Sequence, residues 1–262
     1  MIDSATSPTP RFEFGPSLLP TTTQIERQST AAVSFYTTYE AAEHLLPYHY
    51  VPTSEPVVSV TFQDLDGIDY MHGRGYRLVN VAISAEYRTV DGELLVKPCP
   101  VVIWESNTTP IIAGRELHGN PKIYGNVSAL ETDGPDLKFS VREYESTIVT
   151  GRITDREPFD STRLDRVNRS SSGGSFFGWK FVPGLDGTPD VDYPTLIRGS
   201  ATYTRAWTGV GELDFGSSSA AETPFSFGVL EVLRALPNLG YRRAFYGTGS
   251  ARLYRDKTQR LR

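Results

Sequence analysis

One cysteine stands in the whole chain, Cys99, and a lone thiol can close no internal disulfide and anchor no thiolate cluster. It lies in Lys97-Pro98-Cys99-Pro100-Val101, beside an apolar run, where a buried inert thiol is expected rather than a nucleophile. Histidines are almost as scarce, with only His44, His49, His72 and His118. They form no His-Glu-x-x-His pair, and His44 with His49 would leave a metal short of a third ligand, so no metal site is expected. Walker-type phosphate loops, dinucleotide fingerprints, paired Cys-x-x-Cys motifs and the Gly-x-Ser-x-Gly nucleophile elbow are all missing. No apolar run approaches the roughly 18 residues that span a bilayer, so no membrane partner is expected. Excess positive charge is missing as well: 26 Lys+Arg against 31 Asp+Glu leave a net charge of -5, which argues against nucleic acid as a partner. The first ten residues carry neither a basic start nor an apolar run. No secretory leader is therefore expected, and with the single thiol this fits a reducing, cytoplasmic setting.

What the chain does have is β-forming sequence. With 262 residues, 39% of them hydrophobic, it can bury one sizeable core, and β-rich domains often reach about 250 residues as a single unit. Residues 1–23 are rich in Pro, Ser and Thr and read as an N-terminal arm; residues 24–262 read as one domain. Strands are predicted at Ala31–Tyr36, Val57–Phe62, Tyr76–Tyr87, Leu94–Val96 and Val101–Trp104. Further strands follow at Val127–Leu130, Leu137–Val141, Thr147–Ile153, Trp179–Pro183 and Leu196–Trp207, with a last one within Arg242–Tyr254. Asp91-Gly92 supplies a hairpin turn. Two helices are predicted, Thr38–Leu46 with Thr38 as its cap and Phe225–Leu236 closed by Pro237. The Ser-, Arg- and Gly-rich residues 161–178 read as a loop, mobile at 170–174. No βαβ alternation occurs, so the fold class is mainly β (α+β), built from antiparallel strands with few short helices.

The chemistry concentrates in Ile111-Ile112-Ala113-Gly114-Arg115-Glu116-Leu117-His118-Gly119-Asn120-Pro121-Lys122. An apolar strand end runs into a polar turn. Pro121 then fixes its own φ and pushes Asn120 toward extended geometry, which delivers one lysine followed by Ile123 and Tyr124. Burial disfavours an ammonium ion, and a neutral amine is the form that attacks a ketone. Locally the same pattern also describes a solvated turn lysine.

Gly-Arg-Glu-Leu followed by Pro-Lys at this spacing resembles the active-site segment of acetoacetate decarboxylases. Val182-Pro183-Gly184-Leu185-Asp186-Gly187-Thr188-Pro189 and Ala206-Trp207-Thr208-Gly209 are similar to two further blocks of that family, in the same order. Weaker similarity runs from about residue 30 to 255. The resemblance implies an acetoacetate decarboxylase-like fold around a buried pocket and a homo-oligomer. It makes Lys122 the amine that forms a Schiff base with a small-molecule keto acid, with no cofactor, because the iminium is itself the electron sink. It also marks departures. Ile123 stands where the family has a second lysine, Gln28 falls near its N-terminal arginine, and Leu78 or Asn80 falls near its catalytic glutamate. Such losses resemble the divergent branch of the superfamily, which keeps the lysine for aldol condensation or dehydration, in some cases in natural-product pathways.

Around Lys122 the expected catalytic partners are His118, four residues earlier, and Tyr76, at a strand start, each able to pass a proton. The expected substrate-binding residues are Arg115, through its planar guanidinium, and Glu116. Each has a plainer reading: His118 holding the turn, Tyr76 packing, and Arg115 pairing with Glu105 or Glu116 to brace the loop. Three functions remain open: a Schiff-base lyase, a cyclase or isomerase that uses the cavity without an imine, and a binding protein without turnover.

Overall fold

Burial with a period of two runs through the strands and shows which face of each looks inward. Val58, Val60 and Phe62 are fully buried on one strand, and Leu137, Phe139 and Val141 on another. Each such side chain contributes about 1.5–3 kcal/mol by leaving water. The computed structural model describes residues 20–262. In chain order its elements are β1 (Thr22–Tyr36), α1 (Tyr39–Glu43), β2 (Val51–Pro52), β3 (Val57–Ile68), β4 (Tyr76–Arg88), β5 (Leu94–Glu105), α2 (Thr108–Ala113), β6 (Lys122–Tyr124) and β7 (Asn126–Val127). There follow β8 (Glu131–Asp133), β9 (Asp136–Glu143), β10 (Ser146–Pro158), α3 (Ser161–Ser171), β11 (Ser175–Pro183), β12 (Pro189–Phe215), α4 (Phe227–Ala235) and β13 (Ala244–Arg260).

One 13-stranded sheet has ten strands in the order β6-β5-β4-β3-β1-β13-β12-β10-β9-β7, with β11 paired to β12, β2 to β4 and β8 to β9 beside that path. All its ladders are antiparallel except β5 with β6, where Ile103 lies beside Lys122. The two ends of this path, β6 and β7, are separated in the chain by Gly125 alone, so the sheet curls until its ends meet. Phe62 of β3 stacks on Phe139 of β9 across the enclosed space, with ring centroids 5.4 Å apart. At the junction a Cβ on Gly125 would come within 3.0 Å of both Trp104 and Val141, so a larger residue would have to push those side chains aside for the seam to close.

Most of the predicted strands recur, several of them longer, but of Val127–Leu130 only Val127 is in a strand, the short β7. Thr38 caps α1, its Oγ1 accepting from the Ala41 amide at 3.3 Å, and Gly92 turns the β4–β5 hairpin at φ 86°. Three further expectations are corrected. Leu94–Val96 and Val101–Trp104 belong to one strand, β5, which runs through Pro98 and Pro100 because a bulge opposite Val81 and Ala82 absorbs the irregularity. Residues 161–171 form helix α3 rather than a loop. Asp160 Oδ1 caps it, accepting from the Arg163 amide at 2.8 Å. Asn168 docks the helix on β12 through two bonds to the Tyr203 backbone, at 3.0 and 2.8 Å. Ile111-Ile112-Ala113 is the end of helix α2 rather than of a strand, because Asn107 Oδ1 accepts from the Thr109 amide at 2.9 Å and starts a helical turn. Of the expected arm, Thr22 and Thr23 already belong to β1, Pro20 and Thr21 accept hydrogen bonds from Arg255, and residues 1–19 lie outside the described residues. No helix among the described residues is long and apolar enough to cross a membrane.

Candidate active site

Helix α2 passes directly into a π-helical turn, Gly114–His118, which Gly119 ends in the left-handed region at φ 75°. Gly119 has two reasons to be glycine, that φ and the Lys180 backbone nitrogen, which a Cβ would meet at 2.4 Å. Strands β11 and β12 clamp the turn from outside. The Trp179 amide donates to the Gly119 carbonyl at 2.9 Å, Thr195 Oγ1 donates to the His118 carbonyl at 2.6 Å, and Lys180 Nζ donates to the Glu116 carbonyl. The loop that delivers Lys122 is thus held on both sides. Gly114 gives the lysine its path: a Cβ there would sit 2.5 Å from Lys122 Cδ and Cε and 2.8 Å from Nζ.

Lys122 is 8% exposed, and the residue it meets, Glu105 at the end of β5, is 0% exposed. Nζ lies 2.6 Å from Glu105 Oε1 and donates to the Pro110 carbonyl at 3.2 Å. The ion-pair contact is short, and neither Glu105 oxygen has a well-formed hydrogen-bond partner among the described residues. Burial pushes the Glu105 carboxyl above its ordinary range, while the Lys122 charge pulls it back. The Tyr76 ring lies beneath the amine, its centroid 6.0 Å from Nζ. Burial, and then the neighbouring Glu105, hold the Tyr76 phenol well above its usual value, and the same causes raise Tyr70. Both phenols therefore stay protonated and able to donate.

His118 is buried on the same wall, its Nδ1 3.3 Å from Thr258 Oγ1. Desolvation, then the charges of Lys122, Arg255 and Lys180, lower it to about 4, so it is a neutral imidazole at neutral pH. Its folded value lies below the unfolded one of about 6.5. Stability from this group is therefore complete above about pH 6.5 and is lost as pH falls toward 4, by roughly 3 kcal/mol in all. Urea unfolding at pH 7, 5.5 and 4 should show a shallower pH dependence for His118→Gln than for the wild type; parallel curves would contradict a buried neutral histidine.

Two chambers open beside the amine. A small one of about 60 Å³ is bounded by Tyr70, Tyr76, His118, Asn120, Lys122 and Arg255. A larger one of about 470 Å³ shares Tyr76, Asn120 and Lys122 and adds Gln28, Asn80 and Glu105. Asn80 Oδ1 and Asn120 Oδ1 are buried without a hydrogen-bond partner among the described residues.

The structure thus gathers Lys122, His118 and Tyr76 and leaves the other two candidates outside. Arg115 and Glu116, expected to bind substrate, are exposed and line neither chamber. Arg115 does not pair with Glu105; its Nη1 donates to the Lys122 carbonyl at 3.0 Å and braces the strand. Gln28 faces the large chamber, its Nε2 donating to the Ser250 carbonyl at 3.2 Å, while Arg27 turns outward to Asp66. Leu78 and Asn80 both line the large chamber, as the resemblance implies for a glutamate position. The carboxylate comes instead from the next strand, since Glu105 is the register partner of Leu78 and cross-strand partners share a face. The family position holds no glutamate, as expected, but a carboxylate reaches the site from Glu105, which was not among the expected site residues. Its sequence signal was a lone acid ending the apolar run Val101–Trp104. Tyr70 and Arg255 gave no such signal.

A curled antiparallel sheet enclosing a buried lysine–carboxylate pair defines the class of molecule. The chain belongs to the acetoacetate decarboxylase (ADC) family, whose sequence model it matches over residues 6–251. Among solved structures it is similar to an acetoacetate decarboxylase from Legionella pneumophila, at 20% identity and TM-score 0.75, over 98% of this chain and 93% of that one. It is also similar to an acetoacetate decarboxylase-like enzyme from Sphingomonas wittichii RW1, at 16% identity and TM-score 0.70, over 94% of each chain. A third likeness is to the enduracididine biosynthesis enzyme MppR complexed with pyruvate, at 14% identity and TM-score 0.67, over 94% of this chain and 92% of that one. At these identities the likeness is one of fold. No curated protein matches the sequence.

Proposed function

We propose that this chain is a Schiff-base-forming lyase of keto acids, with Lys122 as the imine-forming amine. The observation that carries the reading is the buried Lys122–Glu105 pair, Nζ to Oε1 2.6 Å, on the wall of a chamber large enough for a substrate. Glu105, whose carboxyl is raised by burial, takes a proton from the ammonium and leaves a neutral amine. The nitrogen pair attacks the keto carbon, and a proton passes from that nitrogen to the carbonyl oxygen, giving a neutral carbinolamine. Loss of that hydroxyl as water, with the proton held on Glu105 or the Tyr76 phenol, leaves an iminium. The iminium accepts the electron pair of an adjacent bond. If the bond to a carboxylate breaks, CO2 departs; if a carbon–carbon bond to a hydroxylated carbon breaks, an aldehyde departs, and the reverse of that step is an aldol addition. Either route gives the same enamine, which is protonated on carbon and then hydrolysed, returning Lys122. The MppR structure holds pyruvate on this fold, which supports a keto acid as the substrate class here.

The test is borohydride reduction in the presence of 2- and 3-keto acids, read by intact mass and peptide mapping. A reduced adduct on Lys122 is expected. A panel that leaves Lys122 unmodified throughout would overturn the reading.

A further inference from the structure

The two chambers beside Lys122 differ in charge. Among the described residues no Asp or Glu lines the small one, where Arg255 joins two protonated phenols, Tyr70 and Tyr76, and the amide of Asn120. The carboxylate of the site, Glu105, lies on the wall of the large chamber. An anionic group entering the large chamber would meet Glu105; entering the small one, it would meet a guanidinium and neutral donors. Size points the same way. About 60 Å³ leaves room for about four water-sized groups, enough for a carboxylate and too little for a whole keto acid.

Arg255 is itself positioned. It lies on β13, its backbone amide donates to the Thr21 carbonyl at 2.9 Å, and its Nε donates to the Pro20 carbonyl at 3.2 Å. It makes no ion pair with a carboxylate among the described residues. Its charge reaches the chamber, because it contributes to lowering His118, which lines the same chamber.

We infer that Arg255 is the carboxylate-binding, specificity-determining residue of the site, a reading that rests on the imine role of Lys122. The substrate's carboxylate sits in the small chamber on Arg255, its keto carbon lies at Lys122, and the rest of its chain extends into the large chamber. There the bare acceptors Asn80 Oδ1 and Asn120 Oδ1 suit a chain bearing hydroxyls or other hydrogen-bond donors. The geometry thus selects a keto acid over a neutral ketone by a charge that neither Arg115 nor the family-position residue Gln28 provides.

The test compares each keto acid with its own methyl ester, pyruvate with methyl pyruvate and acetoacetate with methyl acetoacetate, by the concentration that half-saturates borohydride trapping at Lys122. In the wild type at least one acid should half-saturate about tenfold or more below its ester, as a charge-assisted bond requires. Arg255→Met should raise the acid's value about 10- to 100-fold and leave the ester's nearly unchanged, and Arg255→Lys should restore part of the difference. Equal values for acid and ester in the wild type would overturn the assignment, and that comparison needs no variant to fold. So would a loss in Arg255→Met that falls equally on acid and ester. In either case adducts still form and Lys122 keeps its role, whereas no adduct with any of the four compounds would remove both.

Discussion

Replacing Lys122 with alanine should abolish turnover of a keto acid, by a factor on the order of 10⁶, as loss of a covalent nucleophile does elsewhere. The reason is local and complete. Lys122 Nζ is the amine that touches both Glu105 and the Pro110 carbonyl, and the path for its side chain exists because Gly114 carries none. A nearby lysine cannot stand in, because Ile123 occupies the next position. The fold should survive, since removing the cation leaves a buried carboxyl that can hold its proton instead. Lys122→Met, which restores the lost volume, separates packing from chemistry. Turnover measured with both variants, beside a circular dichroism spectrum, decides the matter. Activity that persists in folded Lys122→Ala would remove the imine and leave a cyclase or isomerase working through the Tyr76 phenol and the neutral His118.

The second large effect is expected at Glu105. Glu105→Gln keeps the shape of the side chain and loses the proton acceptor, and turnover should fall about 10²- to 10⁴-fold, the usual range for a positioned acid or base. Imine trapping should become slower, because the acceptor for the ammonium proton is gone, but its final extent should not fall, because the amine and its carbonyl contact remain. That split is the point of the experiment. A carboxylate that merely anchored the lysine would, when replaced, disorder Nζ and weaken trapping and turnover together. One that moves protons between ammonium, carbinolamine and enamine would slow the cycle while an adduct still forms. Equal losses in both readouts would assign Glu105 to positioning alone.

Much of this was legible in the chain and some of it could not be. Strand after strand announced itself by alternation, because each has one face in a common interior. The Lys122 segment was legible because a glycine, a proline and a lysine at fixed spacing leave the backbone few choices. Helix α3 was hidden: Leu164 and Val167 are the only large apolar residues among its eleven, and what fixes it is the Asp160 cap and the clasp of Asn168 on Tyr203. The role of Glu105 was hidden for another reason. A carboxylate at a strand end means little until the parallel pairing of β5 with β6 sets Ile103 beside Lys122. Arg255 is more than a hundred residues from Lys122, with which it lines the small chamber, and no spacing rule links them. Arg115 shows the opposite failure: its place in a motif suggested substrate contact, but the π-helical turn aims it at the Lys122 carbonyl instead.

Strand β1 lies between β3 and β13, and it pairs along nearly its whole length with the last strand of the described chain, from Thr22 opposite Tyr254 to Ala32 opposite Phe245. During synthesis, β3 can join β1 early, but the other edge of β1 stays bare until more than two hundred further residues have emerged. Pairing over such a separation is slow, and a bare edge is where nascent chains adhere to one another. Leu253 and Arg255, which wall the small chamber, arrive on that same late strand. The same late strand thus covers the open edge of β1 and completes the wall of the chamber beside Lys122.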